Sequence, residues 1–599
     1  MRDMSFNVFA LRKKVSIRIL LKSLIWALAL LGVLFILIMG IVLGYLRTPS
    51  LIAEVPEKAV LMINLDNGFD EARQDDLLNE VVQNSSLSFF DVLAVMEAAL
   101  YDDRIKAVAA KIGNTKLGLA QLEEFYQMIS EYQAAGKKVY VYSSGFGGLA
   151  GGTAEYFLAT AFDEITMMPE SDVGITGVGI EMPFVRGALD KLGVMPEFYS
   201  RHEYKGGMFS FTDKEVSKVY KVHTNQVLAN LNLSLFRIIE WARFGVDDSI
   251  DEITDLVNEA PFTAEYAKKK GLIDNIEYEY DWRKKIEKEH DAQIISFEDY
   301  VNTVTINNKG KKIALVQLDG VIVDDENIGF ISEKQISLPK VLRIVRDIEK
   351  DEDVIGVLLR INSPGGSYSA SSEIWNAFNK LKKEKNIPLY VSMGDYAASG
   401  GYFVALAGDK IYASRTSLTG SIGVFGGKFV LEDLWKKLDV NWEVFALNPN
   451  ASLLSPNSKF DADQKKVFEK SLDRVYESFT QKVAVARKKS FADMEWVARG
   501  RVWTGKQAKE LDLVDELGGL RDALSGLLKE CEAEKNKGVA IAVYPKPKTL
   551  QEKLAAAIGM SSGEGAKITG KILGIDSNIV SVIQRLQYDA ILPPMVVKY

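Results

Sequence analysis

Tyr156-Phe-Leu-Ala-Thr-Ala-Phe-Asp-Glu-Ile165 returns 246 residues later as Tyr402-Phe-Val-Ala-Leu-Ala-Gly-Asp-Lys-Ile411. At the same offset Lys191-Leu-Gly-Val194 meets Lys437-Leu-Asp-Val440. Upstream, Ala107-Val-Ala-Ala-Lys-Ile112 parallels Gly356-Val-Leu-Leu-Arg-Ile361, and downstream Thr263, Ala267, Leu272 and Asp274 parallel Thr504, Ala508, Leu513 and Asp515. The order is kept and the offset drifts by only a few residues, so one domain is written twice. Each copy opens on an apolar strand (60–65 and 313–318), continues through buried-looking strands at 108–112 and 357–361, and reaches 139–142 and 389–393 before a glycine-rich turn. Strands alternating with helical stretches predict βαβ crossovers and a largely parallel sheet in each copy.

The copies are expected at 58–295 and 311–545, joined by a polar, Asn-rich connector at 296–310 and followed by a tail, 546–599, in which we read no role. Ahead of them, residues 23–46 form an uncharged, Leu/Ile/Val/Ala-dominated run of 24. About 20 apolar residues suffice to span a bilayer. A cleaved signal peptide would have a shorter apolar core, and a buried helix would show a polar face. Arg12, Lys13, Lys14, Arg18 and Lys22 crowd the N-terminal side and only Arg47 follows closely. This predicts a signal anchor in the lipid bilayer, with 1–22 cytoplasmic and the body outside the cytoplasm.

Composition narrows the chemistry. A net charge of −8 does not favour nucleic acid. Cys531 is the sole cysteine, and His202, His223 and His290 lack metal-ligand spacing, so no metal or cofactor is expected.

Two turns in the second copy point to chemistry. In Arg360-Ile-Asn-Ser-Pro-Gly-Gly-Ser367 paired glycines at a strand end can aim backbone N–H groups into a cleft, as an oxyanion hole requires. By itself the Pro-Gly pair also fits an ordinary turn. In Gly394-Asp-Tyr-Ala-Ala-Ser-Gly-Gly-Tyr402 a serine stands between small residues at a helix start, where the N–H of Gly400 can face a developing charge. Ser399 also reads as a plain N-cap. A nucleophilic serine needs a base, and the second copy has no histidine. Against Ser399 and Gly400 the first copy has Thr153 and Ala154, and Gly113-Asn-Thr-Lys116 replaces Asn362-Ser-Pro-Gly365. Conversely Tyr204-Lys205-Gly206-Gly207 meets Asn450-Ala451-Ser452-Leu453. Neither copy holds both serine and lysine; together they hold one of each.

These segments, with Leu418-Thr-Gly-Ser-Ile-Gly-Val424, resemble the signature segments of the signal peptide peptidase A (protease IV) family in its long tandem-repeat bacterial form. The resemblance covers nearly the whole chain. It implies a crotonase-like fold of the Clp-protease superfamily and a serine protease with a Ser-Lys dyad. Ser399 is then the nucleophile, Lys205 the base, Ser421 a hydrogen-bond partner of the amine, and Gly366 and Gly400 the oxyanion donors. It further implies cleaved signal peptides and other short apolar unfolded peptides as substrates, a homotetramer, and a single-pass protein of the bacterial inner membrane facing the periplasmic or extracytoplasmic side. The chain departs from the family pattern at Gly206-Gly207, where Ser-Ala is usual. Lys205 as a base near pH 7 must sit well under the ordinary lysine value of about 10.4, which burial without a carboxylate partner achieves. Two rivals share parts of the pattern. A crotonase-type acyl-CoA hydratase or isomerase would be soluble, with a catalytic carboxylate near the oxyanion turn. A catalytically dead membrane scaffold would not need the serine, lysine and glycines intact.

Overall fold

The computed structural model describes residues 54–73, 87–245, 251–304, 310–325, 334–532, 539–546 and 596–598, with Trp26, Leu30 and Gly32. Apart from those three residues, the expected anchor at 23–46 lies outside the described residues, as does most of the tail. Among the described residues no helix is long and apolar enough to cross a membrane. The chain divides into two units, 1–55 with 298–303, and 56–297 with 304–599. Both copies lie in the second. Within the expected connector a short helix, Phe297–Val301, forms, its first turn carrying Glu298 and Asp299 where a helix N-terminus favours negative charge.

The main strands of the first copy are β1 (Ala59–Asn64), β2 (Ile105–Lys111), β3 (Lys138–Ser143), β4 (Glu164–Met167), β5 (Gly179–Glu181), β6 (Met195–Arg201), β7 (Asn275–Ile276) and β8 (Gln293–Ser296). Those of the second are β9 (Lys312–Asp319), β10 (Val354–Ser363), β11 (Leu389–Ala398), β12 (Lys410–Ala413), β13 (Leu418–Gly420), β14 (Val424–Val430), β15 (Val502–Thr504), β16 (Glu516–Leu517) and β17 (Ala540–Tyr544). The first sheet runs β8-β1-β2-β3-β4-β7, parallel throughout. The second runs β17-β9-β10-β11-β12-β16 in the same order and sense. Near-continuous apolar runs such as Ala59-Val-Leu-Met-Ile63 are what a sheet covered on both faces demands.

The duplication extends to side-chain contacts. Tyr156 donates to the carbonyl of Leu272 at 2.6 Å, and Tyr402 to that of Leu513 at 2.9 Å. Asp274 accepts from Ile165 N at 2.7 Å and pairs with Arg243; Asp515 accepts from Ile411 N at 2.8 Å and pairs with Arg487. These partners are the residues that carry the repeat in sequence.

The second sheet has one addition. Past a break in register, β11 runs on to Ala398 and pairs with β13, which pairs antiparallel with β15. The helices that matter for the site are α1 (Leu119–Ala134), α2 (Thr153–Ala159), α3 (Lys218–Phe244) and α4 (Gly400–Ala405). The copies are stitched together by β6 of the first, which pairs antiparallel with β14 of the second along its whole length.

Candidate active site

The first glycine turn leaves β10 with Gly365 at φ +111° and Gly366 at φ +147°, backbone shapes that exclude most side chains. Space excludes them too: a Cβ on Gly365 would stand 2.7 Å from Gly400 N, and one on Gly366 2.0 Å from the carbonyl oxygen of Ile322. The turn therefore packs backbone-to-backbone against the residues around Ser399. Gly366 N and Gly400 N donate to no group among the described residues.

Ser399 caps α4 with φ 53° and ψ −117°. For a residue with a Cβ this region costs about 1–3 kcal/mol and is kept where surrounding structure imposes it. Its amide donates to the carbonyl of Gly420 at 2.9 Å. In the first copy it is Gly152 that caps α2 and donates to Gly174, at φ −149°. The expected match of Thr153 to Ser399 is thus displaced by one residue at the helix start, although Tyr156 and Tyr402 remain equivalent. Thr153 instead uses its hydroxyl to accept from Gly177 N at 2.8 Å.

Lys205 follows β6, and the β6–β14 pairing carries it across to the second copy. The residue is 5 % exposed. Its Nζ lies 2.8 Å from Ser399 Oγ, 2.7 Å from the Ser421 carbonyl oxygen and 2.9 Å from Ser421 Oγ. Burial pulls its amine down to about 7. The geometry brings together Lys205, Ser399, Ser421, Gly366 and Gly400, although Ser399 lies 194 and Ser421 216 residues beyond Lys205.

The Gly206 departure has a local reason. A Cβ there would stand 2.4 Å from the ring of Tyr220, which packs over this turn from α3. His202 faces Glu495 at 3.6 Å and stands edge-on to Tyr476. His223 accepts from Val502 N at 3.1 Å and lies edge-to-face with Tyr204 and Trp503. Burial, with Arg501 second, takes its imidazole down to about 4, so it serves as a neutral acceptor holding β15.

Sequence reading missed three contributors. The main-chain carbonyl of Ser421 leaves no trace in residue type. Gly500, at φ +85°, presses on the backbone of Lys205. Arg501, beside it, offers its carbonyl to Ser421 N at 2.6 Å. A lone glycine flanked by arginines just after a helix was the available signal, and it reads first as a helix stop.

The family model for peptidase family S49 matches residues 131–293 and 381–534, more than half of the chain. The chain belongs to peptidase family S49. The two matched stretches fall one in each copy, and this S49 chain is a serine protease of the tandem-repeat kind. The Clp protease family model matches residues 333–422, a span holding both glycine turns, Ser399 and Ser421, in keeping with a Clp-type α/β fold. Among curated relatives, the chloroplastic serine protease SPPA of Arabidopsis thaliana is 27% identical over 518 residues, covering 84% of this chain and 73% of that protein. Protease 4 of Haemophilus influenzae is 28% identical over 518 residues, 82% of each. Protease 4 of Salmonella typhi is 27% identical over 458 residues, 73% of this chain and 71% of that one.

Proposed function

We propose that this S49 protease works through a Ser399–Lys205 dyad. The observation that carries the proposal is the 2.8 Å approach of a buried lysine amine to the hydroxyl of a serine held at a strained helix cap. A neutral amine has two N–H groups and one lone pair. Donating to the Ser421 carbonyl and hydroxyl and accepting from Ser399 O–H would satisfy all three, whereas an ammonium has no lone pair to offer. In this reading Lys205 takes the Ser399 proton as Oγ attacks the scissile carbonyl. The tetrahedral oxyanion meets the N–H groups of Gly366 and Gly400, each such donor being worth about 3–4 kcal/mol in the transition state. The ammonium of Lys205 then protonates the leaving amine, and water, deprotonated by the same lysine, releases the acyl group.

The finer biology rests on the sequence. The uncharged run at 23–46 with its basic flank supports anchoring in the bacterial inner membrane with the body on the extracytoplasmic side. The resemblance supports released signal peptides and short apolar unfolded peptides as substrates, and a homotetramer as the working assembly. An exposed apolar stretch around Trp442 and Phe445 supports a second copy of the chain as a partner.

A fluorophosphonate probe tests the dyad. It should label the full chain and not Ser399→Ala, and the labelling rate should rise through about pH 7 as Lys205 loses its proton. Labelling undiminished in Ser399→Ala, or a rate flat from pH 5 to 9, would end the reading.

A further inference from the structure

The serine turn is held from outside its own copy. Between Ile361↔Met393 and Ser363↔Ala397 the register of β10 against β11 slips, so that Gly394-Asp-Tyr396 stands opposite Asn362 alone, a bulge from which Tyr396 goes on to pair with Leu418 of β13. Bulges beside active sites re-aim a side chain, and here the side chain is Asp395, four residues before Ser399. Its Oδ1 accepts from Ala120 N at 2.8 Å, in the first turn of α1 in the first copy. The fit is tight: a Cβ on Gly118, the α1 cap, would stand 1.8 Å from Asp395 Oδ2. The carboxylate thus sits on the N-terminus of a 16-residue helix, where free N–H groups and the helix dipole favour it.

A second contact between the copies runs alongside. Arg360, 1 % exposed and just ahead of the oxyanion turn, makes a two-pronged bond to Glu71 at 2.8 and 2.9 Å and an ion pair with Glu124 at 2.8 Å, both from the first copy. The same guanidinium donates to Ser392 Oγ and to the carbonyl of Met393, the last residue before the bulge. Asn362 closes the gap, accepting from Tyr396 N at 3.2 Å. Burial, with Glu71 next, lifts the Asp395 carboxyl to about 6, so the group is held at a cost in desolvation that an apolar residue would not incur.

We infer that Asp395, docked on the first turn of α1, is a positioning residue through which the first copy sets the place of the Ser399 turn. The inference rests on Ser399 being the nucleophile. It gives the first copy a second task beside supplying the lysine, and it explains why a polar bulge interrupts an otherwise apolar strand.

Kinetics on the full chain test it. Asp395→Ala removes the acceptor, while Asp395→Asn keeps an acceptor oxygen without the charge. Gly118→Ala disturbs the same contact from the other copy, at a backbone conformation (φ −75°, ψ 166°) that alanine adopts freely. Asp395→Ala and Gly118→Ala should each lower kcat and the fluorophosphonate labelling rate on the order of tenfold to a hundredfold, the scale of a misplaced nucleophile, with KM changed little. Asp395→Asn should recover most of the loss, and Gly118→Ala should cost nothing further in the Asp395→Ala chain. Folded Asp395→Ala with near-normal kcat would overturn the inference, as would additive losses in the double variant. Should Asp395→Ala not fold, Gly118→Ala with normal kcat overturns it alone. Failure of the dyad itself shows separately, as labelling that persists in Ser399→Ala.

Discussion

Gly500 lies so close to Lys205 that a Cβ added to it would stand 2.5 Å from the lysine backbone nitrogen and 2.7 Å from its Cα. The same short loop binds the other side of the site. Gly500 N donates to Ile422 O at 2.8 Å, and the carbonyl of Arg501 accepts from Ser421 N at 2.6 Å. One loop of the second copy therefore fixes the lysine of the first and the serine that contacts its amine.

Gly500→Ala follows as a test. The substitution meets both a positive φ and a backbone obstacle, so the loop must shift and Lys205 with it. We expect kcat to fall on the order of a hundredfold, the effect of displacing a reacting group by about 1 Å, with KM little changed. Steady-state kinetics on a chromogenic peptide measure it; an unchanged kcat would show that Lys205 tolerates displacement.

The dyad makes a sharper demand. Ser399→Ala and Lys205→Ala should each abolish hydrolysis, and the double variant should be no worse than either, because groups acting as one unit are non-additive. Ser421→Ala should lower activity without abolishing it, since the Ser421 carbonyl still accepts from the amine at 2.7 Å. His202→Ala should have little effect, its ring being engaged with Glu495 and Tyr476. Equal damage from His202→Ala and Lys205→Ala would contradict the assignment of the base.

Stability should carry the mark of the buried amine. Lys205 titrates near 7 in the folded chain and near 10.5 when unfolded, so between those values the unfolded chain binds more protons. Stability then rises with pH across that window, and the penalty for burying the amine is full below pH 7 and gone above 10.5. Lys205→Met removes the penalty. Its thermal midpoint should exceed that of the parent chain at pH 7, with a margin that shrinks as the pH approaches 10. A margin independent of pH would mean that the amine is not held neutral by burial.

Much of this site was legible because the chain is written twice. The strands β1, β2, β9 and β10 show as apolar runs of the right length, and the lysine drew attention only because each copy lacks what the other has. What stayed hidden depends on contacts between distant segments. Gly394-Asp-Tyr reads as the start of a turn, but hydropathy could not show that β11 continues through it, with Tyr396 paired to Leu418, or that Asp395 reaches α1. The one-residue shift that puts Gly152 in the place of Ser399 is invisible as well, because Tyr156 and Tyr402 keep the sequence register on the other side of it. Gly500 approaches Lys205 only because it has no side chain of its own, and no residue pattern encodes a neighbour of that kind.

The two copies also leave a contact unmade, and it yields the last prediction. At the offset of 246, the counterpart of β6 is 441–447, and the counterpart of β14 is 178–184, which includes β5. In the chain β6 pairs with β14, yet β5 pairs with Val596–Lys598 and not with 441–447. The latter stretch is exposed, with Phe445 93 % and Trp442 56 % accessible. A two-fold arrangement of the copies would have joined both pairs within one chain. The observed arrangement is head-to-tail, and such a contact repeated between chains gives a ring where the rotation closes and a filament where it does not; here 441–447 of another chain would take the place of Val596–Lys598 on β5. If the proposed assembly uses this contact, Phe445→Glu should break it in detergent from one side, and Ile180→Glu, on β5, from the other, each leaving monomers of the full-length chain by light scattering. Mixed together, the two variants retain one intact face apiece and should form dimers and nothing larger. Assemblies of parental size in either variant, or a mixture that stays monomeric, would rule out this pairing as the contact between chains.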